Sequence, residues 1–445
     1  MKLIRNLMVL IFLIAFILII NGKFYSSEGI SFLTVYGITV TSVILLTFSI
    51  AHFKYKDPAI EIIEKNLNKN KKKPFVSCVL AVYNEEKHIE DCINSLINST
   101  YLNKEIIVIN DASTDNTLKI LNNFKKNSKI KVLNLKKNIG KKGAIARGLK
   151  IAKGEIFVFT DSDCIVEKRA IDRIIQIFMY DKDVGAVSGH SRAWNSDKNI
   201  WTKIQDSWYE GQFSIKKALE SSYGVVTCIS GPLAVFRREA IFNFISAWEK
   251  DSFLGQEFKF ATDRTLTAFV LGNEFIGNKL KKRYKNSWFV KSKDYPTKHW
   301  KTVYCKSAKV WTNVPDTFRK MIKQQIRWKK SFIRSIFLTG KFYWKKPIIP
   351  ALLFYLKILF IFLGPFIVLR QLIYLPLSGN LLEPFLYLGG ITFVGLTYGV
   401  FYKLENPNCH KWVYRPLMSL LSTLIISWFI FYSLFTIKNM RWHRG

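Results

Sequence analysis

Phe159-Thr160-Asp161-Ser162-Asp163 sets two carboxylates one residue apart, directly after an apolar, strand-like run. Such a pair exposed at a strand end can share a Mg²⁺ or Mn²⁺, which takes oxygen ligands and leaves coordination sites for phosphate oxygens. Two earlier polar clusters have the same placement. Ala81-Val82-Tyr83-Asn84-Glu85-Glu86 and Asn110-Asp111-Ala112-Ser113 each close an apolar run. Acceptors converging there can hold a nucleoside through its base and ribose hydroxyls. Each cluster alone also reads as a polar turn, with Asn84 and Ser113 capping the next helix. Asn138-Ile139-Gly140-Lys141-Lys142-Gly143 puts glycines and lysines just before a helix. Backbone N–H groups and ammonium charge favour pyrophosphate in that position, and a plain basic loop is the other reading. Ala261-Thr262-Asp263-Arg264 supplies a further carboxylate, and Gln324-Gln325-Ile326-Arg327-Trp328 follows roughly sixty residues later. Singly, an Asp-Arg pair is commonly a surface ion pair, and a Trp beside an interfacial helix is commonly an anchor.

The first three clusters follow strands, and that is what links them. Phe75–Val82, Glu105–Asn110, Ile130–Leu135 and Glu155–Thr160 are short β-branched runs of the kind buried in a largely parallel sheet. Between them Glu86–Ile97, Thr114–Phe124 and Lys142–Ala152 have helical periodicity. The alternation predicts a doubly wound, nucleotide-binding α/β sheet whose ligand lies beyond the carboxyl ends of the strands. From about Asp181 to Lys330 the texture is more irregular and more aromatic.

Membrane segments flank this region. Hydrophobic residues make up 49% of the 445, with 35 Phe and 12 Trp. Leu7–Ile20, preceded by Lys2 and Arg5, and the uncharged run Ile30–Ala51 predict two N-terminal transmembrane helices within residues 1–52. A basic linker, residues 53–73, precedes the α/β domain of residues 74–330. Ser331–Lys346 mixes Phe332, Ile333, Ile336 and Phe337 with Arg334 and Lys341, which suits an amphipathic segment lying in the interface. Residues 347–445 hold Pro350–Tyr374, Pro384–Tyr402 and Pro416–Ile437, each of spanning length, and a basic tail. The linker lysines put the α/β domain in the cytosol of a multi-pass cell-membrane protein. Three C-terminal spans would leave the tail Lys438–Arg444 outside, against the positive-inside rule, unless one segment is re-entrant or another crossing lies between Phe354 and Pro376. The net charge of +35 raises a nucleic-acid partner, but a general Lys, Ile and Asn bias and the basic linker account for it, and no nucleic acid is expected. Six cysteines without a CxxC pairing indicate neither a zinc site nor a disulfide framework.

The ordered set of motifs, over residues 74–330 and more loosely to the C-terminus, resembles the processive family-2 glycosyltransferases with a GT-A fold: cellulose, chitin and hyaluronan synthases. Cys228-Ile229-Ser230-Gly231-Pro232-Leu233, Phe236-Arg237-Arg238, Phe253-Leu254-Gly255, and Asp263-Arg264 with Leu266-Thr267 look most like hyaluronan synthases. Ala308–Pro315 and Ser433–Trp442 are similar to that group as well. The resemblance implies that Asp111 contacts uridine and that Asp161 and Asp163 bind UDP and the divalent metal. It also implies that Lys141 lies near the diphosphate and that Asp263 is the general base. Tyr83, Asn84 and Glu85 would complete the nucleotide side. Gln324, Gln325 and Trp328 would meet the acceptor sugar, as would the pocket formed by Cys228, Ser230, Gly231 and Pro232, while Arg327 reaches toward the diphosphate. Thr262 stands where the family usually has an acidic residue, and Ala261 where Gly is common.

The implied chemistry is inversion at an anomeric carbon, with UDP leaving and a carboxylate taking the acceptor's proton. The product implied is hyaluronan, built from UDP-GlcNAc and UDP-GlcA as a growing chain beside membrane lipid, and the spans could line its exit path. A chitin-like or other poly-N-acetylglucosamine synthase and a non-processive lipid or protein glycosyltransferase are the alternatives. A transporter without transferase activity would account for the spans but would not need the ordered carboxylates.

Overall fold

The computed structural model describes residues 32–68 and 71–440. Among these residues ten strands form, in chain order: β1 (Val76–Val82), β2 (Lys104–Asn110), β3 (Ile130–Asn134), β4 (Ile156–Phe159), β5 (Cys164–Val166), β6 (Val184–Ala193), β7 (Ala234–Arg237), β8 (Ser252–Phe253), β9 (Gln256–Glu257) and β10 (Lys301–Thr312). Eight make one sheet in the order β3-β2-β1-β4-β7-β6-β10-β5, and β8 and β9 form a separate hairpin. The four strands expected from the apolar runs are β1 to β4, and they pair in parallel. Doubly wound regularity ends there. β7 runs antiparallel to both β4 and β6, and β5 antiparallel to β10, so the sheet is mixed. Short runs such as Ala234–Arg237 have too little pattern for their direction to be read locally.

Alternation along β1 assigns the two faces of the sheet. Val76, Cys78, Leu80 and Val82 pack with Ile89, Ile93 and Leu96 of helix Ile89–Ile97 and with Ile171, Ile174 and Phe178 of helix Ala170–Tyr180. Val79 faces the other way, with Ile107, Ile109 and the inner side of helix Gly140–Ile151. That helix lies unusually close to the sheet at Gly148, where a Cβ would come within 2.6 Å of Ile109 Cδ1 and 2.9 Å of Val79 Cγ1. The closeness holds the helix's N-terminus, with Lys141, at the carboxyl edge of the strands.

Among the described residues three helices are long and apolar enough to cross a membrane: one within Val35–Glu64, Ile348–Leu377 and Leu382–Glu405. Segments Lys411–Leu424 and Ile426–Phe435 make a fourth candidate, bent by 42°. The expected first span, Leu7–Ile20, lies outside the described residues. One helix, Phe318–Thr339, carries both the Gln324–Trp328 block and the first part of the segment expected in the interface. Polar contacts join the sheet to the apolar helices. Arg192 at the end of β6 donates to Asp206 (2.8 Å) and to the Tyr402 hydroxyl (2.5 Å), and Lys306 of β10 pairs with Glu405 at 2.6 Å.

Candidate active site

The carboxyl ends of β1, β2 and β4 meet at one edge of the sheet. Asp111 follows β2 and is 2% exposed; its N–H donates to Val82 O at 2.9 Å, and its Oδ1 accepts the Ile139 N–H at 2.8 Å. Asn138 Nδ2 donates to Asp111 O at 3.1 Å, so Asp111 is tied to the loop that leads to Lys141. Burial raises the Asp111 carboxyl above the usual range, and the N–H groups of Ile139 and Gly140 partly offset this. Asn84 and Ser113 do not cap the helices that follow them: those helices begin after His88 and Asn116, neither of which makes a side-chain cap. Instead the two loops clasp each other. The Thr114 N–H donates to Asn84 Oδ1 at 2.8 Å, and the Asn84 N–H donates to Ser113 Oγ at 3.0 Å. The Glu85 N–H donates to Thr117 Oγ1 at 2.9 Å, while Tyr83 stays 38% exposed at the rim. Asn84 (φ 52°), Ala112 (φ 59°) and Ala261 (φ 59°) are left-handed without being glycine. All three lie within two residues of a candidate site residue, where strained backbone tends to collect.

Asp161 follows β4 and Asp163 precedes β5. Their carboxylates and the Cys164 thiol offer ligand atoms within 4.8 Å of one another. Burial and then the Asp161 charge raise the Asp163 pKa, a like-charge arrangement that a cation would relieve. Cys164 does not suit that cation. Burial and the two aspartates push its thiol well up, so it stays protonated, and Mg²⁺ or Mn²⁺ favours oxygen. The two carboxylates therefore fit a hard divalent cation, and Lys141 Nζ is ion-paired with Asp161 Oδ1. Burial works to lower the Lys141 pKa, but Asp161 and then Asp263 outweigh it and hold the ammonium charged. A Cβ on Gly231 would stand 3.2 Å from Asp161 Oδ2, which keeps that oxygen open to the pocket.

The opposite wall comes from distant segments. Asp263 lies in the first turn of helix Thr262–Leu271, and its Oδ2 is 3.3 Å from Cys228 Sγ. The Ile229 N–H donates to Thr267 Oγ1 at 3.0 Å, locking the Cys228–Pro232 segment to that helix. Lys217 Nζ donates to Ser230 Oγ at 2.5 Å, and Thr160 Oγ1 donates to Pro232 O at 2.8 Å. Arg327 points into the same field: burial lowers its pKa, opposed by Asp161, Tyr209, Asp263 and Asp163. Trp328 stacks on Trp208, with ring centroids 5.5 Å apart and planes at 17°. Gln324 Oε1 and Gln325 Nε2 are buried without a protein hydrogen-bond partner. The structure thus gathers Asp161, Asp163, Lys141, Asp263 and Arg327 around one polar centre, while Tyr83, Asn84 and Glu85 occupy its outer edge. Trp208 had no motif to mark it; the only signal was the aromatic texture of the region after Asp181. All six cysteines are free.

Residues 77–242 match the glycosyl transferase family 2 profile. A hyaluronan synthase of Streptococcus pyogenes serotype M6 (strain ATCC BAA-946 / MGAS10394) is 25% identical over 440 residues, covering 97% of this chain and 94% of that protein. A poly-beta-1,6-N-acetyl-D-glucosamine synthase of Staphylococcus epidermidis is 30% identical over 253 residues, 57% of this chain and 53% of that protein, so the chain spans about half the length of this relative. Among solved structures, the mannosyltransferase PcManGT from Pyrobaculum calidifontis, in complex with GDP-Man and Mn²⁺, gives a TM-score of 0.47 at 16% identity, covering 89% of this chain and 98% of that one. With a GT-A sheet, the family-2 profile across its first seven strands and a hyaluronan synthase matching nearly end to end, the chain is a UDP-sugar-dependent hexosyltransferase with a family-2 domain, similar to processive synthases.

Proposed function

We propose that this site polymerises hyaluronan, a β-linked polysaccharide, from UDP-GlcNAc and UDP-GlcA by inverting transfer. The observation that carries the reading is the shared electrostatic field of Lys141, Arg327, Asp161 and Asp263. Both cations sense the aspartate at the strand end and the aspartate on the opposite wall. Asp111 and the clasped loops around Asn84 would hold the uridine, and Lys141 and Arg327 the diphosphate. Asp161 and Asp163 would hold Mg²⁺ or Mn²⁺, which supplies neutralisation of the departing phosphate charge. The acceptor hydroxyl attacks the anomeric carbon from the side opposite UDP, the sugar–phosphate bond breaks, and Asp263 takes the hydroxyl proton. Inversion converts an α-linked donor into a β-linked product. Trp328, braced by Trp208, offers a flat apolar face to the acceptor ring, and Gln324 and Gln325 have buried amide atoms free to bond its hydroxyls. The Cys228–Pro232 segment would form the remaining side of the acceptor pocket.

A multi-pass arrangement in the cell membrane, with the catalytic domain cytosolic, supplies nucleotide sugars on one side. The apolar helices, joined to the sheet through Arg192–Tyr402 and Lys306–Glu405, would guide the growing chain outward. The Staphylococcus epidermidis relative favours a second reading, a polymer of N-acetylglucosamine alone. Membranes containing the protein, given Mg²⁺ or Mn²⁺ with UDP-GlcNAc, UDP-GlcA or both, separate the two. Long, hyaluronidase-sensitive product only with both donors is expected. Polymer from UDP-GlcNAc alone, or product resistant to hyaluronidase, would replace the first reading with the second.

A further inference from the structure

Asp251 lies outside every motif named above. It ends the segment leading from Trp248 into the β8–β9 hairpin, which turns on Leu254 (φ 52°) and Gly255 (φ 83°). Its side chain is 3% exposed. Oδ1 accepts from Arg334 NH2 at 2.6 Å, and Oδ2 accepts from Lys142 Nζ at 3.3 Å and from Thr265 Oγ1 at 3.1 Å. These three partners belong to three different elements. Lys142 is on helix Gly140–Ile151, next to Lys141. Thr265 is on helix Thr262–Leu271, two residues after Asp263. Arg334 is on helix Phe318–Thr339, seven residues after Arg327 and therefore on the same face two turns along.

We infer that Asp251 is a positioning residue that sets the separation of Lys141, Asp263 and Arg327 by holding one neighbour of each in a single buried carboxylate cluster. The inference rests on the assignment of those three residues to the transfer reaction. Its physical basis is that a buried carboxylate answering two cations and a hydroxyl has little freedom to shift, so the three helices it bonds keep their relative placement at the site. Its own segment is fixed by further bonds. The Phe258 N–H donates to Asp251 O at 2.8 Å, Lys142 Nζ donates to Phe258 O at 2.9 Å, and Trp248 Nε1 donates to Thr262 O at 2.7 Å. Without the carboxylate, Lys142 and Arg334, with side chains 8% and 12% exposed, become two buried like charges with no common counter-ion. They then separate, and Lys141 and Arg327 move with them. A displacement of ~1 Å at reacting groups costs on the order of 100-fold in rate.

A double-mutant cycle on the full-length chain in detergent tests this, with UDP release from UDP-GlcNAc plus UDP-GlcA as readout. Asp251→Asn in the parent is expected to lower kcat/KM for the donors by about 20-fold, with Asp251→Glu recovering part of it. On a Lys141→Ala background the same substitution is expected to cost clearly less, about fivefold, because one of the three groups it positions is gone. Equal losses on both backgrounds would mean that Asp251 supports the fold without directing Lys141, which overturns the inference. Parent-like activity of Lys141→Ala itself would instead overturn the site assignment, and this inference with it. If Asp251→Asn cannot be purified folded, Thr265→Val removes one bond at nearly constant shape. It is expected to cost about threefold in the parent and less on Lys141→Ala, and the same loss on both again overturns the inference.

Discussion

The two walls of this site, proposed to take the donor and the acceptor, are built in opposite ways. Asp111 and Asp161 follow β2 and β4, and the Asn84 loop follows β1, so parallel pairing alone carries them to one edge. Asp263, Arg327, Trp328 and the Cys228–Pro232 segment come from elements with no common sheet register. They are brought together by side-chain bonds over long sequence separations, such as Cys228–Asp263 and Asp251–Arg334. A wall made by backbone pairing tolerates loss of a side chain without moving. One made by side chains shifts when any is removed.

The sharpest break in this comparison is expected at Asp263. Asp263→Asn keeps the shape of the acceptor wall and removes its proton acceptor, so transfer should fall by about 10²- to 10⁴-fold while UDP affinity stays unchanged in a calorimetric titration. Elongation near the parent rate would move the base elsewhere. On the donor wall, Asp163→Asn should weaken divalent-metal-dependent UDP binding by about 10- to 100-fold with the fold intact. An unaltered metal titration would remove Asp163 from the metal site.

Trp328→Ala should lower kcat by about tenfold with little change in UDP affinity, and Trp328→Phe should recover most of it because the stack on Trp208 needs only a flat ring. Should UDP affinity fall as far as kcat, Trp328 would belong to the donor wall. Ala261→Gly is expected to have the smallest effect. It relieves a left-handed Ala before Asp263, worth about 1–2 kcal/mol. It also removes a buried methyl, about 0.8 kcal/mol, and adds chain entropy of about 0.5–1 kcal/mol. The melting free energy should move by no more than about 1 kcal/mol with transfer retained; a large loss of transfer would show that the methyl itself orients the Asp263 helix.

Legibility in the sequence divides along the same line. Apolar runs ending in Asn84, Asp111 and Asp161 marked the donor wall, because a buried parallel strand is a continuous β-branched stretch and its ligand lies at its end. The second half of the sheet was not readable. β7 and β5 are only four and three residues long, and nothing local says that β7 runs antiparallel. For Asp263, Arg327 and Trp328, residue types with resemblance to a family pointed to the reaction, but not to which face each would present.

Trp208 and Asp251 belong to no motif. Their importance comes from what they touch: an indole on another helix for the first, and two cations and a hydroxyl on three elements for the second. Chain-local chemistry, which is set by strand period, helix starts and paired carboxylates, is written in neighbouring residues and so was already present in the bare string of letters. The closing of the acceptor wall depends on buried polar groups finding partners 70 to 110 positions away, as Lys142 finds Asp251 and Thr160 finds Pro232. Only the folded packing decides that, because the cost of leaving such groups unpaired is felt once water has been excluded.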